Sequence, residues 1–230
     1  MRRAVTVIIF LGAALLSGGI QSSAAGSQTV TVTRSAGGTG GKSFSLSCDE
    51  DEGLVGSSGR AGGLVDRVAA VCQSVGADGK PTGRRRTTGG AGGDGGSPFT
   101  RTCSEGQAVY SIKGRAGSAV DRIQLGCRSL DARGRTTGAA SWLAAAGGNG
   151  GKAFGPNTCT DDKPAKAVQG KSGMWIDQIR LACAHPSLPA VTPTKREFCF
   201  GAIGAQCGAQ QGLAGFCSGG MCPVNAGSWE

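Results

Sequence analysis

The chain has 230 residues with 43 Gly, 8 Pro and 10 Cys, against 7 Phe, 3 Trp and 1 Tyr. Glycine stands far above the ~7% of an average chain, yet it follows no strict Gly-x-y period and proline is scarce, which excludes collagen. The formal charge of +9 bears on solubility and on the partners the surface attracts, not on the fold. The even cysteine count in a glycine-rich, aromatic-poor chain points to one or two small-turned β domains held by disulfides.

Arg2 and Arg3 precede an apolar stretch from Ala4 to Leu16, and Ser22 to Ala25 offers small residues for cleavage. This pattern predicts a secretory signal peptide over residues 1–25, cut after Ala24 or Ala25. The apolar stretch is shorter than the ~20 residues that span a bilayer, and no later segment qualifies, so no membrane span is expected. The destination is secreted, extracellular or periplasmic, an oxidising setting in which disulfides are the default reading of the cysteines.

From residue 36 the chain repeats itself three times. GGTGGKSFSLSC is followed by GSSGRAGGLVDRVAAVC, GGDGGSPFTRTC by YSIKGRAGSAVDRIQLGC, and GGNGGKAFGPNTC by AVQGKSGMWIDQIRLAC. Two cysteines stand 24 positions apart in every copy, which predicts the disulfides Cys48–Cys72, Cys103–Cys127 and Cys159–Cys183. The third copy carries one extra residue, located between Phe154 and Cys159.

Each copy ends in a strand-like alternation: Val68, Ala70, Cys72, then Ile123, Leu125, Cys127, then Ile179, Leu181, Cys183. The flanking glycine clusters mark turns with positive φ. Each copy therefore reads as a short antiparallel unit stapled by its own disulfide, and units this small must close on one another to bury a face. Three blades fall below the usual propeller range, and no recurring Gln-x-Trp of the ricin-type trefoil is present. A prism of three sheets remains. The expected organisation is a prism over 26–185, with copies at 36–89, 90–146 and 147–185, then a Pro-rich linker over 186–197. The tail, 198–230, has two disulfides among Cys199, Cys207, Cys217 and Cys222, in a connectivity the sequence leaves open.

Several local signals lead elsewhere and are set aside. AGGTGGKS (36–43) fits a relaxed phosphate-loop pattern, but a strand follows it where a helix is required. Arg84, Arg85 and Arg86 read as a solvated loop face that attracts acidic polysaccharide at most, and no element supports specific nucleic-acid recognition. His185 is the sole histidine, and its proline-flanked setting reads as an ordinary exposed residue, not a catalytic one. Asp161, Asp162 and the run Asp49 to Glu52 are not repeated across copies and read as solvated loops. The cysteine spacing lacks the close pairs of a zinc cluster, and no cofactor or metal is implied.

The loops Gly37–Gly41, Gly92–Gly96 and Gly147–Gly151 are each followed by Phe and, later, by Gly-x-x-x-Asp ahead of the alternating strand. Those motifs run Gly62 to Asp66, Gly117 to Asp121 and Gly173 to Asp177, with Arg60, Arg115 and Lys171 two residues before the glycine. Over residues 36–185 this pattern resembles the jacalin-related β-prism lectins, in the griffithsin-like form with three loops and three aspartates. The cysteines depart from the plant lectins and are similar to those of the vitelline membrane outer layer family of secreted β-prisms.

The resemblance implies an all-β prism of the jacalin type and a non-enzymatic, carbohydrate-binding function toward hexose or mannose-type glycans. It further implies that the aspartate ending one unit works with the loop opening the next. Asp66 is thus expected with Gly92, Gly93, Gly95 and Gly96, and Asp121 with Gly147, Gly148, Gly150 and Gly151. Asp177 is expected with Gly37, Gly38, Gly40 and Gly41, and Trp175 would lie against its sugar where the other copies carry Leu64 and Ala119. Gly62, Gly117 and Gly173 open the three turns. Two readings of the aspartates stand side by side: sugar acceptors on a glycan-covered surface, or turn formers that bond local backbone amides or pair with Arg60, Arg115 or Lys171 in a structural, coat-type prism with degenerate sites.

Overall fold

The computed structural model describes residues 29–189 in full. Beyond them it describes the strand pairs Arg196–Cys199 with Cys207–Gln210 and Phe216–Cys217 with Gly220–Met221. The expected signal segment and the expected tail disulfides lie outside the described residues.

Fifteen strands form the body. They are β1 (Thr31–Val32), β2 (Ala36–Gly37), β3 (Lys42–Ser47), β4 (Glu52–Ala61), β5 (Val65–Val75), β6 (Pro81–Thr87), β7 (Ala91–Gly92), β8 (Ser97–Thr102), β9 (Gln107–Ala116), β10 (Val120–Leu130), β11 (Thr136–Trp142), β12 (Ala146–Gly147), β13 (Lys152–Thr158), β14 (Ala165–Ser172) and β15 (Ile176–Cys183). They make three five-stranded antiparallel sheets. One runs β6-β5-β4-β8 with β7 on β5, the second runs β11-β10-β9-β13 with β12 on β10, and the third runs β1-β15-β14-β3 with β2 on β15. The molecule is a β-prism.

The sheets are offset from the sequence repeat by two strands, a two-residue strand and an outer one. Each takes its outer strand from the next copy: β8 completes the first, β13 the second, and β3 returns to complete the third. The N-terminal β1 occupies on β15 the place that β6 has on β5 and β11 has on β10. The ring is thereby closed by backbone hydrogen bonds, and the amino-terminal end of the body lies beside the carboxy-terminal end of β15, where Thr31 faces Cys183.

The alternating residues point inward as expected. Val68, Ala70, Ile123, Leu125, Ile179 and Leu181 all belong to one central cluster with Leu54, Val109, Ile112 and Val168. Phe44, Phe99 and Phe154 cap it, and each stands directly opposite a strand glycine, Gly170, Gly59 and Gly114 respectively. A Cβ at any of these glycines would run into the carbonyl of the neighbouring strand. The extra residue of the third copy is absorbed by a bulge in β13, between Phe154 and Asn157, where Gly155 adopts φ 79°.

The three disulfides pair as the spacing predicts, with both cysteines of each pair buried in the core. Their structural role differs from a staple within one unit. Cys48 continues β3 against β14, through its amide to the Lys166 carbonyl, whereas Cys72 lies in β5 of the adjoining sheet. Cys103–Cys127 and Cys159–Cys183 join the other two pairs of sheets in the same way. Each bond is a corner stitch of the prism. The buried group Cys48, Glu52 and Cys72 has both sulfurs committed to the disulfide.

Asp49, Glu50, Asp51, Arg84 and Arg85 are exposed, as expected of solvated faces, but Glu52 and Arg86 depart from that reading, and residues 84–86 lie in β6 instead of a loop. Glu52 is buried, accepts from Arg86 Nε at 2.9 Å and from the Asp49 amide at 2.9 Å, and Arg86 also meets Asp49 at 2.9 Å. Lys166, from the adjoining sheet, donates to the Glu50 and Glu52 carbonyls at 2.7 and 2.8 Å. Arg85 lies across its sheet to Gln73, Thr102 and the Cys103 carbonyl. Burial pushes the Glu52 carboxyl up, but the Arg86 hydrogen bond, the Asp49 amide and the nearby cations outweigh it and hold Glu52 below its ordinary 4.5. Burial also pushes Lys166 down, against the pull of Asp51, Glu52, Glu50 and Asp49.

The pole at which β5, β10 and β15 end is closed by turns and by the chain leaving β15. The turn at Gly79 abuts the backbone of Asp131 and Ala132, and Gly134 abuts Pro186. The Ser187 amide donates to the Glu50 carbonyl at 2.8 Å, and Pro186 is buried. The first residues expected to form a free linker are therefore packed on the prism. His185 is half-buried, with its Nδ1 inside and unpartnered, which differs from the exposed residue expected.

Removing one corner stitch as the pair Cys103→Ala and Cys127→Ala is expected to cost about 3 kcal/mol of stability, measured by urea unfolding at neutral pH. For Glu52 the folded pKa lies below the unfolded one. Its contribution is complete above about pH 4.5 and is lost as the pH falls through the lowered folded value. Lys166 acts in the alkaline range, outside that window. Glu52→Gln should be about 2 kcal/mol less stable at pH 7, and the gap to wild type should narrow in unfolding titrations carried below pH 4.5.

Candidate functional site

Three aspartates stand at the start of β5, β10 and β15, and the glycine loop leading into β8, β13 or β3 wraps each one. Gly62, Gly117 and Gly173 open tight turns in which the amide donates to the carbonyl two residues on, Leu64, Ala119 and Trp175, at 2.8, 2.8 and 3.0 Å. Each aspartate carbonyl then accepts from the second glycine of its loop: Asp66 from Gly93 at 2.9 Å, Asp121 from Gly148 at 2.8 Å, and Asp177 from Gly38 at 2.8 Å. The three expected pairings of aspartate and loop are present as geometry.

Glycine is required here by space and by φ together. Gly37, Gly92 and Gly147 have φ between 103° and 108°, and a Cβ on any of them would strike the aspartate carbonyl. Gly95 leaves room for Asp66 Oδ1, which a Cβ would approach to 2.5 Å, and Gly40 does so for Asp177 at 3.1 Å. Gly150 makes the same cradle for Asp121, while Gly41, Gly96 and Gly151 face the other carboxylate oxygen.

Arg60, Arg115 and Lys171 do not pair with the aspartates, which removes the basis for reading these as salt-bridged turn formers. Arg60 donates to the Gly95 and Gly96 carbonyls at 2.9 and 2.7 Å, Arg115 to Gly150 and Gly151 at 2.7 Å each, and Lys171 to Thr39 at 3.0 Å. These cations pin the loops from behind. Among the described residues, no side chain or amide donates to the carboxylates of Asp66, Asp121 or Asp177, although Asp121 and Asp177 are each only 9% exposed. The carboxylate oxygens themselves reach the surface, so their acceptor capacity is open to water or to a ligand.

The residue after each aspartate was not singled out in the sequence, and it completes the loop. Arg67 pairs with Asp94 at 2.8 Å and reaches the Gly93 carbonyl at 3.1 Å; Arg122 meets Asn149; Gln178 donates to the Gly38 carbonyl at 3.0 Å. The available signal was strand alternation, since a polar residue follows Asp in every copy and must face outward. Met174 was also missed: it is 71% exposed beside Trp175, at 36%. Leu64 is half-buried and Ala119 is buried, so the Asp177 turn alone carries an exposed aromatic.

The three sites share one pole and touch in a ring. Gly38 packs on the Ser118 carbonyl, Gly93 on that of Met174, and Gly148 on that of Gly63. Each loop thus rests on the turn of another site.

The fold is the β-prism of the jacalin-related lectins. A mannose-binding jacalin-related lectin from Ananas comosus superposes with a TM-score of 0.50 and 16% identity, over 69% of this chain and 99% of that one. The Calystegia sepium agglutinin gives 0.51 and 15%, over 68% and 97%, and artocarpin complexed with methyl-α-mannose gives 0.50 and 13%, over 67% and 97%. No protein-family model and no curated protein matches the sequence.

Arg115→Met is expected to release the Gly147–Gly151 loop, seen as faster amide hydrogen exchange confined to that loop, with global stability reduced by less than about 1 kcal/mol because the side chain is exposed.

Proposed function

We propose that this protein is a lectin that holds hexoses of the mannose type at up to three sites on one pole of the prism, without catalysis. The observation that carries the reading is the set of three carboxylates, each cradled by glycines and left without a protein donor. An ionised aspartate accepts two charge-assisted hydrogen bonds from neighbouring hydroxyls. Glycine loops let a ring approach the backbone closely and offer amides to its remaining oxygens. The sugars carried in the names of the prism neighbours make mannose the first ligand to test.

The Asp177 site ranks first, because Trp175 offers an apolar face beside its turn. Three sites on one pole suit a glycan-covered surface, where simultaneous engagement raises avidity by ~10² or more without any new contact. Both ends of the described body lie at the opposite pole, so neither obstructs the sites. Export fits the three disulfides, and no helix among the described residues is long and apolar enough to cross a membrane.

The test is a glycan array probed with the oxidised protein from residue 26 onward, beside a variant carrying Asp66→Ala, Asp121→Ala and Asp177→Ala. Selective binding to mannose-terminated glycans should be lost in the variant while its thermal melt remains cooperative. Binding retained by the variant would reject the three sites, and no binding by either protein would favour a coat-type structural prism.

A further inference from the structure

We propose that the outer face of the β1-β15-β14-β3 sheet is a second saccharide subsite, built for an anionic sugar unit, uronate or sulfate ester, next to the hexose at Asp177. This deepens the lectin reading and rests on it for the neutral end of the ligand. A groove of about 530 Å³ lies there, within the range of small-molecule sites. It is lined by two cross-strand rows, Gln178, Lys171 and Ser43, then Arg180, Gln169 and Ser45, with Phe44 and Gly170 between them.

The lining suits a sugar. Hydroxyls and amides supply donors and acceptors, and Gln169 is fixed in orientation by Arg180 Nε at 3.2 Å and Ser45 Oγ at 3.3 Å. The groove contains no carboxylate. Arg180 gives only its Nε to Gln169, so among the described residues its terminal nitrogens have no acceptor and face the groove for the two oxygens of a carboxylate or sulfate. Lys171 and Gln178 donate to the carbonyls of Thr39 and Gly38, so the loop that cradles Asp177 is also the wall of the groove.

The other two faces show what a closed version looks like. The matching first row on the β6-β5-β4-β8 sheet is Arg67, Arg60 and Pro98, where Arg67 is paired with Asp94 and Arg60 is bound to the loop carbonyls. Its second row, Ala69, Ser58 and Thr100, carries no charge. On the β11-β10-β9-β13 sheet, Lys113 lies 3.8 Å over the Trp142 ring and Gln124 is bound to the Leu143 carbonyl. Each of those faces has its cation neutralised, covered or bound to the loop. Among the described residues, the Asp177 face sets a half-buried Arg180, its terminal nitrogens without a protein acceptor, beside an open polar groove.

The test is calorimetry on the oxidised full-length mature protein with mannohexaose, hexagalacturonate, a heparin hexasaccharide and hexaglutamate at one ionic strength. Hexagalacturonate or the heparin hexasaccharide should bind about tenfold more tightly than mannohexaose, and Arg180→Gln should remove that factor. Gln169→Glu, which keeps the Arg180 contact but adds a carboxylate, should weaken the anionic probes by at least about tenfold relative to mannohexaose. Stronger binding of one anionic hexamer assigns carboxylate or sulfate.

Equal binding of charged and neutral sugars, or of hexaglutamate and hexagalacturonate, would overturn the subsite. So would an equal loss from Arg133→Gln, a cation in the turn at the opposite pole. If Asp177→Ala leaves every affinity unchanged while Arg180→Gln removes the anionic preference, the hexose reading of Asp177 fails and the groove stands.

Discussion

Every sheet in this prism is incomplete without a strand from the next copy, and that loan of an edge strand is the constraint on which the rest depends. Without that strand β4, β9 or β14 would expose a row of unpaired amides and carbonyls, and a unit of this size buries little apolar surface. β8 and β13, each lent to the sheet of the preceding copy, pair β4 and β9, β3 pairs β14 to close the ring, and β1 pairs the other side of β15. The disulfides follow the same route, each joining the lent strand's continuation to the inner strand of its home sheet. They add covalent corners within the core, where all six cysteines are buried.

Strand exchange also makes the sites. Each aspartate begins the inner strand of one sheet, while its glycine loop leads into the strand lent to that sheet by the next copy. No single copy therefore contains a whole site. The loops are held at three points: by the aspartate carbonyl on the second glycine, by a cation or amide reaching the loop from the adjacent strand, and by the turn of a neighbouring site beneath. This leaves the carboxylates without a protein donor, together with the buried Arg122 Nε beside Asp121, and it holds the pole in one geometry, which under the proposed function lowers the entropic cost of binding.

Threefold pseudo-symmetry is broken on the outer faces and not in the core. Ion pairing of Arg67 with Asp94, stacking of Lys113 on Trp142, and the half-buried Arg180 with Gln169 are three different treatments of matching rows. The backbone imposes the same register on each, so the differences reside in side chains alone. Variation of this kind changes what a face can bind without disturbing the ring.

Much of this was legible in the chain. The repeat, the cysteine spacing, the alternation of Ile123, Leu125 and Cys127, and the extra residue near Phe154 fixed the number of units, the disulfide partners, the inward faces and the place of the bulge. Glycine next to glycine announced cradles with positive φ. What the sequence could not show were relations across copies: that a disulfide joins two sheets, that Arg60 and Arg115 grip loop carbonyls and leave the aspartates unpaired, that Glu52 lies buried against Arg86, and that the terminal nitrogens of Arg180 have no acceptor among the described residues. Local pattern determines conformation within a strand or turn, because sterics and periodicity act over a few residues. Partners 30 to 140 positions apart are chosen only when the ring closes and sets which side chains share a face.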